Sequence, residues 1–401
     1  MRTSLPVSAA CFLCIINAAC AADWPNWRGP NHDGISLEKG WRSQWSGEPK
    51  VLWEADVGLG FSSFVVANGR VLTTGHENEK DTIFCLDAAT GKKLWSHSYP
   101  ADLGDKYYEG GTSATPTFDG DRAFHLSRWG DLFCFDAASG KVVWEKNVQK
   151  ETGAEIPDWG FAGAPLVQGK LLLLNVGKAG LAVDKGSGKI VWKSDNDPAG
   201  YSTPYPINRD GKQLAVIGSA RAYIAVNVAT GSPAWEYEWT TRYGVNAADP
   251  ILSGDSLFIS SGYNKGCTLV RLTGREPQKV WENKALKNQF NSSVLLNGHL
   301  YGIDGDQNSR CSLKCLSFAD GKERWSEKSI GFGSLMAADG KLIILTDKGE
   351  MVIANANPEK YDEISRAQIL SGKCWSAPVL ANSRLYARNS AGRVVCLDVR
   401  Q

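Results

Sequence analysis

The sequence predicts an all-β fold, an eight-bladed β-propeller of four-stranded antiparallel blades whose last blade is closed by an N-terminal strand. Three observations support this prediction: a ten-residue motif that recurs every 39 to 49 residues, a second series of short apolar segments that end in Gly turns, and two incomplete units at the chain ends. Repeats of four short strands with a period of ~40–45 residues are typical of propellers. A chain of 401 residues, 43% of them hydrophobic, is long enough to bury the core of such a ring.

The recurring motif is a turn between two strands, as in LDAATGKKLW (86–95) and FDAASGKVVW (135–144). Its Asp accepts hydrogen bonds from backbone N–H groups, its Gly adopts a positive φ, and its Trp packs from an outer strand against the neighbouring blade. Ile364 takes the eighth Trp position. We assign the motif residues a structural docking role and no catalytic one. They are Trp53, Asp87, Gly91, Trp95, Asp136, Gly140, Trp144, Asp184, Gly188, Trp192, Gly231, Trp235, Trp281, Gly321 and Trp325.

Apolar segments that end in Gly turns alternate with this motif, as in VVANG (65–69) and LLNG (295–298). Asn-Gly and Asp-Gly pairs favour tight hairpins because both residues tolerate positive φ angles. Middle strands such as LLLLNV (171–176) are apolar on both sides, which predicts sheets covered on both faces. The helical periodicity that a solenoid would need is absent.

The two chain ends predict how the ring closes. Trp53 ends a motif that has no earlier copy, and the last copy, VVCLDVR (394–400), lacks its Trp strand. We therefore expect the segment 49–57 to supply the outermost strand of the blade formed by 376–400. Closure removes the exposed sheet edges that favour aggregation, so residues 49–401 are assigned to one propeller.

Residues 1–22 are predicted to be a secretory signal peptide, because an apolar run precedes the small-residue segment NAACAA (17–22). The run is shorter than the ~20 residues of a membrane span, and no later segment reaches that length. A lipid anchor on Cys20 is not expected, since Asn17 stands where lipoprotein signals usually have Leu. We expect an exported protein, periplasmic or extracellular, with no transmembrane segment.

Residues 23–48, between the predicted signal peptide and the propeller, are predicted to form an N-terminal strap. This short segment contains Trp24, Trp27, Trp41 and Trp45. Large aromatic side chains are mostly buried in folded proteins, so the strap is predicted to pack along the ring. The alternative is a flexible leader.

The docking motif resembles the tryptophan-docking repeat of the PQQ-like (quinoprotein-type) β-propeller family, with full copies ending in Trp95, Trp144 and Trp192. The resemblance covers about residues 50–401, and DWPNWRGPNHDGIS (23–36) is similar to the start of secreted planctomycete-type members. The family implies two kinds of function. Its dehydrogenases bind PQQ and Ca²⁺ in the funnel of the ring, whereas its BamB-like members have no cofactor and act through protein contacts. Fold alone does not choose between them.

Several sequence features favour the scaffold. The pair of adjacent cysteines that accompanies the quinone in the family's dehydrogenases is absent, and the blades are close to minimal length. The segment DGDQN (304–308) lacks the central Gly and terminal Glu of an EF-hand loop, so we predict no metal site and no cofactor. Lys+Arg number 44 and Asp+Glu 43, which excludes the strongly basic surface typical of nucleic-acid binding.

The sequence therefore predicts a monomeric, non-catalytic scaffold of the cell envelope that binds a protein or peptide partner or another ligand, with a peptide or a glycan as the candidates for its funnel. The alternative is a PQQ- and Ca²⁺-dependent alcohol or sugar dehydrogenase. In either case the ligand would meet the loops on one face of the ring. The candidate funnel residues are Glu109, Arg128, Trp129, Trp159, Tyr201, Asn246, Asn291 and Trp375. A different reading is that the aromatic residues plug the channel mouth and the amides bond to loop backbone.

The cysteines and histidines predict no reactive site. The five histidines are scattered without the spacing of metal ligands, and no C-x-x-C pair points to zinc. Four cysteines share one strand position that Ala182 and Ala225 fill in other blades, which predicts a slot for a small buried side chain. Cys267 and Cys311 form the only cross-blade disulfide candidate. The four cysteines are Cys85, Cys134, Cys315 and Cys396.

Overall fold

A computed structural model describes residues 22–307 and 309–401. Within these residues the chain forms eight four-stranded antiparallel sheets, one of which gains a fifth strand from the N-terminal strap. The sheets are the blades of a ring around a central channel, which confirms the predicted eight-bladed β-propeller. The predicted signal peptide, apart from its last residue, lies outside the described residues.

Each blade runs from strand a, beside the channel, to strand d at the outer edge. Blades 1 to 4 consist of Val65–Ala67, Arg70–Glu77, Lys80–Asp87 and Lys93–Pro100; Thr117–Asp119, Arg122–Leu126, Asp131–Asp136 and Val142–Asn147; Leu166–Gln168, Leu171–Leu174, Leu181–Asp184 and Ile190–Lys193; and Tyr205–Arg209, Lys212–Gly218, Ala222–Asn227 and Pro233–Glu238. Blades 5 to 7 consist of Ile251–Ser253, Ser256–Ser261, Gly266–Arg271 and Gln278–Asn283; Val294–Leu296, His299–Asp304, Ser312–Ser317 and Glu323–Glu327; and Gly333–Ala338, Lys341–Thr346, Glu350–Asn355 and Asp362–Gln368. A five-residue helix, Val148–Thr152, follows blade 2.

Blade 8 joins the two ends of the chain. Val51 pairs with Leu397 and Ala55 with Val394 in an antiparallel register. The predicted closure by an N-terminal strand is therefore confirmed. The strands of this blade, from a to d, are Val379–Ala381, Arg384–Arg388, Arg393–Asp398 and Val51–Asp56.

The docking Trp of one blade lies on the Gly turn of the next blade. The indole Nε1 of Trp53 donates to the carbonyl oxygen of Ala88 at 3.1 Å. A Cβ on Gly91 would lie 2.5 Å from a ring carbon of Trp53, so Gly91 is required both by its φ of +70° and by this contact. The same ring-on-glycine contact joins Trp95 to Gly140, Trp144 to Gly188, Trp192 to Gly231 and Trp281 to Gly321.

Three junctions depart from this pattern. Between blades 6 and 7, Trp325 keeps the indole bond, to Asn357 O at 2.8 Å, but meets no turn glycine among the described residues. Nε1 of Trp235, which faces blade 5, is buried with no hydrogen-bond partner among the described residues. At the junction of blades 7 and 8, Ile364 replaces the Trp, and Trp45 of the strap packs against the same apolar cluster. The hydroxyl of Ser365 also donates to the backbone oxygen of Ser43 at 2.9 Å. The strap thus supplies at this junction the contact that a docking Trp makes elsewhere.

A second ring of hydrogen bonds joins the blades beside the channel. It runs through the residues that precede or begin the a strands, many of them Ser or Thr, and it passes every junction between neighbouring blades. These bonds hold the inner edges of the blades together where side chains are too small to interlock. The bonds are Ser63 N to Thr115, Thr117 to Pro165 O, Ala164 N to Thr203, Thr203 N to Asp249, Asp249 N to Ser292, Asn291 to Gly333 O, Ser334 to Trp375 O, and Ser376 to Phe61 O.

The strap (23–48) crosses the end of the channel at which strands a and b turn. Trp24 and Val66 of blade 1 exchange two backbone hydrogen bonds, at 2.7 and 2.8 Å. Ile35–Ser36 then pairs in parallel with strand a of blade 7. Finally, the Glu38 carboxylate accepts from the backbone N–H of Ser383 in blade 8. The strap is therefore an ordered part of the ring and covers this end of the channel.

The seven described cysteines are free and buried. Cys267 and Cys311 do not form the disulfide that the sequence offered as a candidate. Their sulfurs contact Asn283 Oδ1 at 3.3 Å and Asp306 O at 3.1 Å, respectively. Burial raises the pKa of the Cys85 thiol to about 12, which makes it an unreactive core residue.

Candidate functional site

The channel widens into a cavity of about 580 Å³ on the face that carries the segments leading into the a strands. That volume falls within the range of ~300–1,000 Å³ found for small-molecule sites. Small side chains such as Ser113, Ala164 and Ala377 form the walls, one or two from each blade. Because these side chains are short, they leave the centre of the ring open.

The strap forms the floor of the cavity. Trp24, Trp27, Arg28 and Gly34 line it from below. Trp24 is 3% exposed and Arg28 is 6% exposed, so both are part of the core. The cavity is therefore blind, and a ligand reaches it through the mouth only.

A buried charge pair fixes this floor. Nε of Arg28 lies 3.9 Å from Oδ2 of Asp249, and Nη2 of Arg28 donates to Ser293 O at 2.6 Å. Asp249 also accepts from the Trp27 indole at 2.5 Å and from the backbone N–H of Thr203 at 2.8 Å. Burial raises the pKa of Asp249 and lowers the pKa of Arg28, and the facing charge opposes the shift in each case. Each charge is thus already partnered within the protein.

Nine aromatic side chains surround the mouth, and we call them the aromatic collar. Phe61 and Trp375 have ring centroids 5.5 Å apart. Trp159 meets Tyr201 edge-on, with centroids 5.8 Å apart and an interplanar angle of 74°. Edge-on pairs leave ring faces uncovered, which makes them available to a ligand. The collar consists of Phe61, Tyr107, Tyr108, Trp159, Tyr201, Tyr243, Tyr263, Phe290 and Trp375.

Most cations around the collar are engaged within the protein, whereas Lys348, in a depression beside Tyr107 and Trp375, is exposed to solvent. Four of them lie over collar rings. They are Lys106 over Tyr107 at 4.8 Å, Arg128 over Tyr108 at 5.6 Å, Arg242 over Tyr243 at 5.2 Å, and Lys373 over Trp375 at 4.2 Å. Lys106 also pairs with Asp158 at 3.1 Å, and Lys373 pairs with Glu109. The mouth therefore combines half-exposed aromatic side chains with cations most of which lie over rings or pair with carboxylates.

Four of the eight residues predicted for the funnel line the cavity: Trp159, Tyr201, Asn291 and Trp375. The other four do not line it. Glu109 lies beside the mouth, where its carboxylate binds Lys373. Its charge is therefore used within the rim.

Arg128, Trp129 and Asn246 belong to the wall behind the cavity. Nη1 of Arg128 donates to two backbone carbonyls, at 2.9 and 3.1 Å, and the Trp129 indole donates to a third at 2.9 Å. Nδ2 of Asn246 donates to two backbone carbonyls, each at 2.9 Å. The alternative reading, in which polar groups satisfy loop backbone, thus describes these three residues.

Sequence reasoning missed six collar residues and the charge pair of the floor. The sequence signal for the collar was present, because Tyr107, Tyr243 and Phe290 stand in segments that lead into a strands, and Tyr263 stands in a loop between strands b and c. No local pattern connects Arg28 to Asp249, which lies 221 residues further along the chain and comes near it only when the ring closes.

The lining offers few donors for a metal or an anionic cofactor. In the described parts of the chain, no three His, Cys, Asp or Glu residues stand close enough together to hold a metal ion. Asp304, in the acidic segment considered above, binds Lys287 at 2.8 Å and Lys314 at 3.0 Å. Among the described residues that line the cavity, Arg28 is the cation, and its partners are already in place.

Within the described residues, no helix has the length and apolar character needed to cross a membrane.

A family model described as outer membrane protein assembly factor BamB matches residues 38–112 and 79–327. No curated protein matches the chain in sequence. Among solved structures, BamB from Moraxella catarrhalis is similar with a TM-score of 0.66 and 16% identity, over 88% of this chain and 100% of that one.

Two dehydrogenases are similar to the same extent. A europium-containing methanol dehydrogenase has a TM-score of 0.69 and 12% identity, over 91% of this chain and 89% of its own. The quinohemoprotein alcohol dehydrogenase from Comamonas testosteroni has a TM-score of 0.67 and 14% identity, over 96% and 81%. At such identities the likeness shows a shared fold, so function must be argued from the site.

Proposed function

Because the chain belongs to the PQQ-like β-propeller family described by the BamB model, we propose that it is a non-catalytic binding scaffold of the cell envelope that engages its ligand at the channel mouth. The observation that carries this proposal is the blind cavity, which has an aromatic collar above and a charge-paired floor below.

The collar has the properties of a recognition surface. Tyr107 is 56% exposed and Tyr243 is 51% exposed, although large aromatic side chains are costly to leave in water. Tyr and Trp are enriched in the residues that dominate binding energy at interfaces. They project here from loops on a rigid ring, an arrangement that suits binding because the frame holds the loops in place.

The lining argues against a quinone dehydrogenase. PQQ carries several carboxylates and works beside a divalent cation, so its site needs free cationic side chains and a cluster of oxygen ligands. Arg28 is already bound to Asp249 and to Ser293 O, and Asp158 is paired with Lys106. The residues present do not fit the cofactor, and we derive no redox step.

An exported location agrees with this function. The family model is that of an outer membrane assembly factor, and residues 1–22 have the composition of a secretory signal. We propose that the protein acts in the periplasm or outside the cell, as a monomer, and that a protein or peptide partner docks on the loop-bearing face.

The first experiment separates the scaffold from the dehydrogenase. The purified protein is titrated with PQQ in the presence of Ca²⁺ and then assayed for dye reduction with a panel of alcohols and sugars. The proposal predicts no saturable quinone binding and no turnover. Micromolar binding accompanied by turnover would contradict it.

The second experiment locates the binding surface in the native envelope. A photo-crosslinking amino acid replaces Tyr107 or Tyr243 in the collar, and in a matched control it replaces Leu94, which is 47% exposed on the outer strand of blade 1. The proposal predicts adducts from both collar positions and none above background from position 94. Equal labelling at all three positions would contradict a mouth-specific role.

A further inference from the structure

The shape of the cavity constrains how a ligand enters it. Trp24, Trp27 and Arg28 close the lower end, so a polymeric ligand enters by one of its ends and does not thread through the ring. The terminal group of the polymer then lies closest to the floor of the cavity. The chemistry of a chain end therefore decides which polymers the cavity accepts.

A peptide end brings a charge that the floor does not accommodate. A free terminus carries an ammonium or a carboxylate, and burying such a charge is costly unless it is paired. Arg28 and Asp249 are each other's partners, and both are nearly inaccessible to solvent, at 6% and 3% exposure of their side chains. A charged terminus would have to break that pair, whereas a neutral end leaves it intact.

The rim favours an uncharged ligand for a related reason. Lys106, Arg242 and Lys373 already lie over collar rings, where a cationic ligand would have to replace them. An anionic ligand that used Lys106 or Lys373 would have to displace their carboxylate partners. Among the described residues of the cavity lining, neither charge sign gains a free partner, because Arg28, Asp158 and Asp249 are all paired. Asp347 and Lys348 line an adjoining depression outside the cavity.

The remaining chemistry of the lining consists of ring faces, amides and hydroxyls. The side chains of Gln289, Asn291 and Gln307 lie at the collar, and Ser113 and Thr115 lie on the wall below it. Gln289 already donates to the Tyr263 hydroxyl and Asn291 to Gly333 O, but each amide keeps a second N–H and an oxygen lone pair for a ligand. An amide offers both a donor and an acceptor, as does a hydroxyl. A pyranose ring presents an apolar C–H face for stacking and a rim of hydroxyl groups for such partners.

From these features we infer that the cavity takes the end of a neutral carbohydrate chain, with sugar rings stacked on the aromatic collar and their hydroxyls bonded to the amides between the rings. This inference rests on the proposed function: the protein or peptide partner docks on the loops of this face, and the inference names the ligand class of the cavity between those loops. In this arrangement the charged groups of the cavity exclude charged ligands, because these groups are already paired with one another.

The test measures binding to the purified protein by calorimetry. The neutral probes are cellohexaose, maltohexaose, xylohexaose, mannohexaose and N-acetylchitohexaose. Hexagalacturonate is the anionic counterpart, and one hexapeptide is used both with free ends and with blocked ends. We expect saturable binding of at least one neutral hexasaccharide and none of hexagalacturonate or of the free-ended peptide.

Variants then locate the site. Tyr107→Ala and Tyr243→Ala each remove a half-exposed ring and are expected to weaken neutral-sugar binding by about five- to tenfold. Leu94→Ala, a substitution of similar exposure on the outer edge, should leave the affinity unchanged. If both collar variants bind the neutral hexasaccharide with the affinity of the parent protein, the inference is overturned.

Two further outcomes separate this inference from the proposed function. If a peptide or hexagalacturonate binds with the same collar dependence and no neutral sugar does, the carbohydrate inference is overturned and the binding role of the mouth stands. If no probe binds, the carbohydrate inference is overturned as well. In that case the crosslinking from Tyr107 and Tyr243 alone decides whether the mouth binds anything.

Discussion

The two ends of the central channel are built from opposite chemistry. At the mouth, Tyr107 and Tyr243 are more than half exposed. At the floor, Trp24 is 3% exposed and a buried ion pair joins the strap to the start of blade 5. Exposed aromatic surface contributes little to folding, whereas a buried pair and a buried Trp are tightly coupled to it. The comparison indicates that the floor serves stability and the mouth serves binding.

Two aspartates that line the same cavity test this difference most strongly. Asp249 is buried against Arg28, whereas Asp158 pairs with Lys106 at the surface and its side chain is 55% exposed. Replacing Asp249 with Ala leaves the buried guanidinium without its partner, so we expect a loss of about 3–5 kcal/mol in the free energy of unfolding. Asp158→Ala should cost no more than about 1 kcal/mol. Urea unfolding of both variants measures the two values, and similar losses would contradict the assignment.

The pH dependence of stability is the next largest effect, and it concerns the strap through His32 and blade 2 through His125. Burial lowers the pKa of His32, in the strap, to about 4 and the pKa of His125, in blade 2, to about 3. An unfolded His has a pKa near ~6.5, so these rings stay neutral in the folded state while the unfolded chain binds protons. Above pH ~6.5 both states are neutral and the buried imidazoles cost no stability. As the pH falls from there towards the folded pKa, protonation of the unfolded chain lowers the free energy of unfolding.

Between pH 7 and pH 5 each ring should cost about 2 kcal/mol of unfolding free energy. His32→Asn removes the titrating group and suits the φ of +58° at this position. Chemical unfolding at both pH values measures the effect. We expect the variant to lose about 2 kcal/mol less stability than the parent on acidification, because one titrating imidazole is removed. An unchanged pH dependence would show that His32 is not held neutral by the strap.

The smallest expected effect is on the stability of the mouth variants. Tyr107→Ala and Tyr243→Ala should change the free energy of unfolding by no more than about 0.5 kcal/mol, because both rings are largely in water. Thermal unfolding with the parent as reference provides the value. A large destabilisation would mean that the collar holds the ring together and would remove the argument that it is kept for a ligand.

The sequence predicted the ring well because the interactions that form each blade are local. The turn that carries Asp87 and Gly91 repeats with its Trp, and at five junctions the copies form the same contact between Trp and Gly. Closure through Val51–Asp56 was also predictable, since the first and last units each lack what the other contains.

The site was predictable only in part, because its geometry depends on which residues the closed ring brings together. Trp159, Tyr201, Asn291 and Trp375 line the cavity, whereas a ligand-binding role for them stays a prediction. Asn246 stands in the same kind of loop segment as Asn291, yet its amide does not line the cavity. It donates to two backbone carbonyls in the wall. Local patterns do not distinguish these two situations.

The position of the strap across the channel also could not be predicted from the sequence. Four Trp in residues 23–48 indicated burial along the ring, but nothing in that segment indicated that it crosses the channel. The crossing depends on Arg28, whose partner Asp249 stands in a different blade segment, and on the parallel pairing of Ile35–Ser36 with blade 7. Both are long-range contacts that no repeat encodes.

Hydrogen–deuterium exchange of the intact protein tests most directly whether the channel has a closed floor and an open mouth. Backbone amides in the strap, such as those of Trp24 and Arg42, are bonded to Val66 and Val399 of the ring, so they should exchange as slowly as the blade strands. Amides in the mouth segment 102–109 should exchange much faster. Strap amides that exchange as fast as this segment would contradict the blind cavity and the binding site built on it.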